Sequence, residues 1–370
     1  MFGHKRIPSR EGGVEIVVEE LSARMVRKGH QVTCYNRGGH HVSGAEYDTG
    51  TIKEYQGIKI KTVPTLDKKG LAAVTASFFA ALKAAFGRYD VVHIHAEGPA
   101  FFAFLPKLFA KRVICTVHGI DWEREKWKAG FASRFIRQGE RNAVRCADEI
   151  IVLSKGVQDY FYETYHRETR LIPNGVNRPV LREPEQIREK FLLEKDSYIL
   201  FLGRLVPEKG IRYLIRAFRE IRTDKRLVIA GGSGESGDFE KEIRELAAGD
   251  ERILFTGFVQ GNLLDELYSN AYLYVLPSDL EGMPLSLLEA MSYGNCCLVS
   301  DIAECAEVVE DKAFVFKKAD EEDLARKLQY ACLHEEEVQK YKRQAADFIC
   351  GRYNWDEVTD ATLKLYGTEG

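Results

Sequence analysis

The chain lacks the features that mark secreted, membrane-spanning and zinc-binding proteins. Its eight cysteines include no C-x-x-C pair, so we expect reduced thiols rather than disulfides or a zinc site. The longest apolar stretch, Leu71 to Phe86, is interrupted by Lys83 and is too short to span a bilayer. No N-terminal targeting signal is visible. These absences predict a cytoplasmic protein.

Metal and nucleic-acid signatures are also missing. No Asp-x-Asp occurs, and no third ligand accompanies His93 and His95, which share one face of a predicted strand. We therefore predict no metal and no cofactor. Neither an RNA-binding signature nor a recognition-helix pattern appears, which argues against nucleic acid as a partner.

The charge is divided unevenly along the 370 residues. Residues 1–173 carry 27 basic and 19 acidic side chains, whereas residues 174–370 carry 26 and 37. A basic first half favours an anionic partner such as a membrane surface or a phosphorylated acceptor, although an incidental surface bias explains it equally well.

Strand and helix signals alternate twice, which is typical of doubly wound parallel sheets. We predict an α/β protein with one Rossmann-like domain over 1–176, joined by a closing helix at about 353–370, and a second over 177–352. Met1 to His4 resembles only the tail of a central first strand. A misplaced start codon or a truncation is the expected cause.

The stretch from Asp279 to Gly294 combines two carboxylates with a helix start. An apolar strand ends before Glu281, Pro284 is predicted at the first helical position, Glu289 lies inside the helix, and Gly294 is the expected C-terminal stop. The helix N-terminus favours a phosphate, and the carboxylates would accept bonds from sugar hydroxyls. Two solvated glutamates are the plainer alternative.

Other strand ends carry charged or permissive residues. Arg204 and Lys209 follow the first strand of the second half, where two cations could bind a diphosphate. His118 ends a strand of the first half, and Gly12-Gly13 precedes a helix. Residues 232–237 match G-x-G-x-x-G, but no acid ends the next strand, at residues 253–255, so we reject a dinucleotide dehydrogenase.

In this order, six motifs resemble the retaining glycosyltransferases of family 4. They are Gly12-Gly13, Thr116-Val117-His118-Gly119, Pro173-Asn174-Gly175-Val176, Gly203-Arg204 with Lys209-Gly210, Gly257-Phe258-Val259, and Glu281 with Glu289. The opening residues look most like a bacterial, rhamnosyltransferase-like branch of surface polysaccharide synthesis. The resemblance covers nearly the whole chain. Only the short first strand and the residues after Asp301, where the family has a glycine-rich turn, depart from it.

The resemblance implies the GT-B fold, two Rossmann-like domains facing a cleft, and transfer of a hexose-type sugar from a nucleotide-diphosphate sugar to a glycan or lipid-linked acceptor, with retention and without a metal. His118 and Glu281 would be catalytic. The donor would be bound by Gly12, Gly13, Arg204, Lys209, Phe258, Val259, Gly282, Met283, Pro284, Leu285, Ser286 and Glu289. His95, Glu97, Asp121 and Asn174 are assigned to the acceptor side. A glycosidase, a sugar-nucleotide epimerase on the same fold and a non-catalytic nucleotide-sugar-binding protein remain alternatives.

The segment 123–145 interleaves basic residues with aromatic ones, and Trp122 precedes it. Such a face can lie on anionic lipid, which would place the protein on the inner face of the cell membrane. A solvated helix that packs its aromatic side chains inward is equally consistent with the pattern.

Overall fold

The computed structural model describes residues 1–39, 52–66, 68, 70–120, 122, 130–232 and 237–367. The chain divides into two compact units. Unit 1 comprises Met1–Asn174 and Trp355–Gly370, and unit 2 comprises Gly175–Asn354. The acceptor and donor roles expected for them, and the cleft between them, stay predictions.

Unit 1 is an α/β unit with seven named strands in its described part. Strands β1 to β7 are Thr33–Arg37, Glu54–Tyr55, Ile58–Val63, Val91–His95, Arg112–Val117, Glu149–Val152 and Arg170–Leu171. Helices α1 to α6 are Gly13–Arg27, Leu71–Phe86, Glu97–Ala100, Phe104–Leu108, Gly130–Cys146 and Lys155–Tyr165, and the chain returns with α15, Trp355–Leu365.

The first residues of the chain join the two sheets of unit 1. The sheets have the orders β1-β3-β2 and β4-β5-β6-β7. Phe2 forms a parallel bridge with Ile94, while the carbonyl of Met1 accepts from the amide of Tyr35 on β1. Phe2 is buried in the core of the unit. Met1 and Phe2 therefore stand where a central first strand is expected, reduced to a single bridge.

The described part of unit 2 contains six parallel strands. Strands β8 to β13 are Tyr198–Leu202, Arg226–Ala230, Ile253–Gly257, Leu273–Leu276, Cys297–Ser300 and Phe314–Phe316. Helices α7 to α14 are Gln186–Phe191, Ile211–Glu220, Asp238–Ala247, Asn262–Asn270, Leu285–Ser292, Ala303–Val309, Glu321–Leu333 and Glu335–Arg352, and a short 3-10 helix spans Pro207–Lys209.

The sheet of unit 2 explains both the apolar strand sequences and the position of a site. Its order is β10-β9-β8-β11-β12-β13. Residues of β8 and β11 are buried almost throughout, as expected for strands covered on both faces. Each fully buried aliphatic or Phe side chain contributes about 1.5–3 kcal/mol. The strand order reverses between β8 and β11, and ligands of such sheets bind beyond the carboxyl ends of those two strands.

The hairpin β2–β3 was not predicted. β3 runs parallel to β1 and antiparallel to β2. Its sequence, Ile58-Lys59-Ile60-Lys61, alternates apolar and basic residues, a signal of a half-buried strand that the sequence analysis missed. No helix in the described part of the chain is both long and apolar enough to cross a membrane.

Candidate active site

A largely buried ion pair lies where the strand order of unit 2 reverses. Lys209 Nζ is 2.5 Å from Glu281 Oε1. The hydroxyl of Ser278 donates to the same carboxylate oxygen at 2.6 Å, and the hydroxyl of Ser300 donates to the Ser278 carbonyl at 2.5 Å. Lys209 follows β8 and Glu281 follows β11. The two residues thus meet at one sheet edge, and their direct pairing is a feature that the sequence did not predict.

Glycine allows the loops that carry this pair to approach closely. Gly210 has a φ of +68°, and a Cβ atom there would lie 1.9 Å from the carbonyl oxygen of Pro277. The amide of Asp279 donates to the carbonyl of Glu208 at 2.8 Å. Any side chain at position 210 would push the loops apart and separate Lys209 from Glu281.

Arg204 and Phe258 lie on the neighbouring loops. Arg204 is exposed directly after β8, and the next amide, of Leu205, donates to the carbonyl of Gly232 at 3.0 Å. A Cβ atom at Gly232 would lie 3.6 Å from the Cβ of Phe258, which is half-buried and followed by buried Val259. The ends of β8, β9 and β10 are therefore contiguous. The residues between Gly232 and Gly237 fall outside the described part of the chain.

Helix α11 begins one residue later than predicted. Pro284 is its N-cap, with an extended backbone at φ −76° and ψ 98°, so the prediction of a first helical position was wrong. The Pro284 carbonyl accepts from the amides of Leu287 and Leu288. Leu285 and Ser286 occupy the first turn, whose amides have no intrahelical acceptor in an α-helix. Gly282 and Pro284 are buried, and Met283 is half-buried beside them. Gly294 ends the helix with φ +80°, as predicted.

Glu289 is held by a tyrosine that sequence reasoning did not identify. The hydroxyl of Tyr268, on α10, donates to Glu289 Oε2 at 3.2 Å and lies 3.3 Å from the Ser286 carbonyl. The Tyr268 ring stacks on Tyr293 with centroids 5.1 Å apart, and Tyr293 donates to Asp265 at 2.6 Å. Burial raises the pKa of Tyr268 well above its ordinary value, so it stays a neutral donor.

A third carboxyl group lies near the ion pair, where the chain departs from the glycine-rich turn of the family. Residues 303–309 form α12, and its first turn carries Glu304. Burial raises the pKa of Glu304, and the charges of Glu307 and Glu281 raise it further. Burial together with the Glu281 charge also raises the pKa of the Cys305 thiol.

Two of the site residues of unit 1, His95 and His118, belong to a stack of three histidines. His95 Nδ1 is 3.1 Å from His118 Nε2, and their ring centroids are 5.4 Å apart. His93 stacks on His95 at 4.2 Å and bonds Tyr366 and Thr116 through its two nitrogens. Burial, followed by neighbouring basic groups, lowers the pKa values of His93 and His95 well below their ordinary value. His118 is half-buried at the end of β5.

The glycine loop of unit 1 already has a carboxylate beside it. Gly12 caps α1 in an extended conformation, and Gly13 is the first helical residue. A Cβ atom at Gly12 would lie 2.6 Å from Glu15 Oε2, and the other oxygen of Glu15 accepts from the amide of Lys5 at 2.8 Å. An incoming phosphate would meet this carboxylate as well as the helix amides, a repulsion that the two-glycine pattern did not reveal.

The residues assigned to the acceptor side are largely buried. His95 and Glu97 are fully buried, and Asn174 is 3% exposed. An acceptor would need a local rearrangement to touch the first two. Asp121 lies outside the described residues. The role of all four stays a prediction.

The expected lipid-binding face of segment 123–145 receives no support from its described part. Phe135 stacks on Phe101 with centroids 4.4 Å apart, and Trp122 donates to Glu140 at 3.1 Å. The guanidinium of Arg137 lies 4.1 Å over the Trp122 ring. These aromatic side chains pack within the unit. Arg124, Lys126 and Lys128 lie outside the described residues.

Comparison with known proteins gives the same division of the chain. The family Glycosyltransferase Family 4 matches residues 11–178, and the family Glycosyl transferases group 1 matches residues 183–348. An uncharacterised glycosyltransferase of Methanocaldococcus jannaschii is 25% identical over 97% of this chain and 95% of its own length.

Two further proteins are similar to this chain, one in sequence and one in fold. An Escherichia coli UDP-Gal:alpha-D-GlcNAc-diphosphoundecaprenol alpha-1,3-galactosyltransferase is 28% identical over 58% of each chain. The crystal structure of Anabaena HepE in complex with UDP and glucose superposes with a TM-score of 0.81 at 16% identity, covering 99% of this chain and 98% of that one. With a family 4 domain, a group 1 domain and two α/β units built mainly on parallel strands, the chain is a glycosyltransferase of the GT-B fold.

Proposed function

We propose that the protein transfers a hexose-type sugar from a nucleotide-diphosphate sugar to a glycan or lipid-linked acceptor, with retention of anomeric configuration. The observation that carries this proposal is the buried Lys209–Glu281 pair at the switch point of unit 2, close to the helix that bears Glu289. Support also comes from HepE, whose structure contains UDP and glucose, and from the Escherichia coli galactosyltransferase.

In this proposal the diphosphate lies between fixed positive charges. Arg204 and Lys209 contact its oxygens, and the amides of Leu285 and Ser286 donate to it from the first turn of α11. The amide of Gly13 contributes a further donor once the carboxylate of Glu15 turns away from Gly12. Two cations and a helix terminus supply the positive charge, so the proposal includes no divalent metal. Removing one strong preorganised donor costs about 3–4 kcal/mol of transition-state stabilisation.

The two glutamates bind hydroxyl groups on either side of the diphosphate. Glu289 accepts from the ribose, with its orientation fixed by Tyr268. Glu281 accepts from the transferred sugar near its O3. Its Oε1 already receives bonds from Lys209 and Ser278, which suits a positioning role better than nucleophilic attack. Phe258 and Val259 contact the base, and Gly282, Met283 and Pro284 shape the loop beside the sugar.

The reaction proceeds on one face of the sugar. The bond between the anomeric carbon and the diphosphate oxygen breaks, and its electron pair stays with the diphosphate. The acceptor oxygen forms the new bond to that carbon from the same face, and its proton passes to the leaving phosphate. His118 lies beside the sugar and hydrogen-bonds the reacting centre. We place the reaction in cell-surface polysaccharide synthesis, in a rhamnosyltransferase-like branch.

The test begins with a thermal-shift screen of nucleoside diphosphates and nucleotide sugars, because a ligand at 100 times its Kd stabilises the native state by about 2.7 kcal/mol. The best donor is then incubated with lipid-linked and soluble acceptors, and the product anomer is read by NMR. A retained anomer on an acceptor supports the proposal. Conversion of the sugar without acceptor indicates an epimerase. Binding without turnover, unchanged in Glu281→Ala and His118→Ala, indicates a binding protein.

A further inference from the structure

A buried carboxylate of unit 1 accepts hydrogen bonds from three aromatic side chains. Glu140, on α5, is 1% exposed. The indole of Trp122 donates to its Oε2 at 3.1 Å, and the hydroxyl of Tyr160 donates to its Oε1 at 2.9 Å. The hydroxyl of Tyr165 donates to the same Oε1. We call these four side chains the Glu140 cluster. The proposed reaction makes no direct use of them.

The donors of the Glu140 cluster come from two parts of the chain. Tyr160 and Tyr165 lie on α6, whereas Trp122 follows the end of β5. Burial, followed by the Glu140 carboxylate, raises the pKa values of both tyrosines, so they stay protonated donors. An apolar side chain would fill the same space without the cost of burying a carboxylate. The carboxylate adds direction, because its oxygens accept only along their lone pairs.

The indole of Trp122 is fixed on its face as well as at its nitrogen. The guanidinium of Arg137 lies 4.1 Å over the ring, and the ring of Tyr160 lies 6.3 Å away, centroid to centroid. Arg137 and Glu140 are three residues apart on α5 and therefore share one face of the helix. A single turn of α5 thus sets both the position and the rotation of the indole.

Helix α5 is also fixed to the segment that follows β4. A Cβ atom at Gly139 would lie 2.0 Å from the carbonyl oxygen of Glu97, so the backbones of α5 and α3 are in contact there. Helix α3 begins two residues after His95, the last residue of β4. Gly139 and Glu140 therefore join one helix to the segments after β4 and β5, whose strands end beside His95 and His118.

Trp122 is near enough along the chain to restrain His118. The two are four residues apart. A chain of that length spans at most about 14 Å. Ile120, between them, packs against the core of the unit. A shift of this segment would change the 3.1 Å contact between His118 Nε2 and His95 Nδ1. We propose that Glu140 is a positioning residue that sets the place of His118 through Trp122.

The effect of Glu140 on turnover rests on the proposed function, whereas its effect on the place of the His118 ring does not. Misplacement of a reacting group lowers a rate steeply even when the altered residue lies away from the chemistry. The experiment therefore measures the His118 ring and turnover separately, at a temperature at which every variant remains folded.

The variants each change one partner in the Glu140 cluster. Trp122→Phe removes the indole N–H, and Glu140→Leu removes the acceptor. Tyr165→Phe is the matched control, because it also removes a donor to Glu140 but leaves the bond to Trp122. Glu140→Gln is the rescue variant, since its amide oxygen can accept from Trp122 while its NH₂ group donates to the tyrosine hydroxyls.

NMR of the full chain with isotope-labelled histidine reports the place of His118. Its ring resonances, assigned by their loss in His118→Asn, should shift in Trp122→Phe and Glu140→Leu. They should stay at the wild-type positions in Tyr165→Phe and close to them in Glu140→Gln. This measurement needs neither donor nor acceptor.

Kinetics on the same variants separate turnover from donor binding. Trp122→Phe and Glu140→Leu should lower kcat about tenfold and leave the donor Kd near wild type, because His118 is displaced while the donor contacts of unit 2 remain. Tyr165→Phe and Glu140→Gln should keep kcat near wild type. In a His118→Asn background, Trp122→Phe should have no further effect on kcat, since it acts through that histidine.

The outcomes are distinguishable. Unshifted His118 resonances in Trp122→Phe would overturn the proposal. Equal kcat values in Trp122→Phe and Tyr165→Phe would also overturn it, because a bond that only stabilises the fold would make the two alike. Shifted His118 resonances in a wild type that transfers no sugar would count against the proposed function and leave the positioning of His118 supported. If Glu140→Leu does not fold, Trp122→Phe decides.

Discussion

The two units hold different chemistry at the same edge of similar sheets. At the carboxyl ends of β8 and β11, unit 2 buries an ion pair, Lys209 with Glu281. At the carboxyl ends of β4 and β5, unit 1 holds histidines, and the buried ones are neutral. A buried charge is retained when a partner offsets its desolvation, whereas a buried histidine among basic groups releases its proton. The fold therefore sets the position of a site, and the local partners decide its charge.

Acidification should produce the largest difference between the two units, because it should lower the stability of unit 1 more than that of unit 2. Burial lowers the pKa of His4 to about 3, and those of His93 and His95 fall well below 6.5. As the pH falls, these three histidines are protonated in the unfolded chain before they are protonated in the folded one. The stability that they contribute to unit 1 is therefore complete above pH 6.5 and declines as the pH falls towards their pKa values in the folded chain. Over this range each histidine lowers the free energy of unfolding by about 1.4 kcal/mol per pH unit. The three together lower it by about 4 kcal/mol per pH unit.

Tryptophan fluorescence gives the measurement, because all three tryptophans, Trp122, Trp127 and Trp355, belong to unit 1. The fluorescence midpoint in urea should drop sharply between pH 6.5 and 5.5, ahead of the far-UV signal of the whole chain. His4→Asn should reduce the slope by about a third. Identical midpoints at pH 5.5 and 7.5 would contradict the assignment of neutral histidines.

Removing Lys209, the cation of the buried ion pair in unit 2, should have the next largest effect. Lys209→Ala should lower kcat by about 10²–10³-fold, as loss of one preorganised donor does elsewhere. Lys241→Ala, which removes an exposed lysine of the same unit, should leave kcat unchanged. The double variant Lys209→Met with Glu281→Gln separates activity from folding, because it leaves no unpaired buried carboxylate. We expect it to regain stability but not turnover, and full activity of Lys209→Ala would refute the role.

His118 is the residue of the unit 1 histidine stack that tests a role in turnover. His118→Asn should lower kcat by about 10–100-fold, the size of a hydrogen bond to a developing charge, while the donor Kd stays near wild type. His166→Asn is the matched control, since His166 is an exposed histidine of the same unit in a left-handed conformation that Asn tolerates. A rise in donor Kd with unchanged kcat would move His118 from the reacting centre to donor binding.

The sequence predicted strands better than contacts. Leu273–Leu276 and Phe314–Phe316 were located to the residue because strands buried on both faces read as continuous apolar runs. Ile58–Val63 was missed because its alternating lysines resemble a loop when each residue is weighed alone. The expected first strand pairs through a single bridge, between Phe2 and Ile94, which agrees with the short strand that the sequence predicted.

In the site, too, the sequence predicted the positions of residues better than their contacts. Strand topology brought Lys209 and Glu281 to one edge, since the carboxyl ends of β8 and β11 are neighbours there. Their hydrogen bond depends on the close approach of Gly210 to Pro277, which a residue pattern does not encode. The carboxylate of Glu15 beside Gly12 is likewise a matter of side-chain direction.

Tyr268 offers the finest test of how unit 2 orients a charged group. Tyr268→Phe keeps the ring stack on Tyr293 and removes the hydroxyl that donates to Glu289 Oε2. One hydrogen bond of this kind is worth about 0.5–1.5 kcal/mol, so the donor Kd should rise by about two- to tenfold while kcat changes little. Tyr272→Phe is the control, because its hydroxyl donates to the Ala331 carbonyl of α13. In a Glu289→Ala background, Tyr268→Phe should have no further effect on the donor Kd, since the hydroxyl acts through that carboxylate. A Tyr268→Phe effect that persists in the Glu289→Ala background would show that the tyrosine binds donor directly or stabilises α11 on its own.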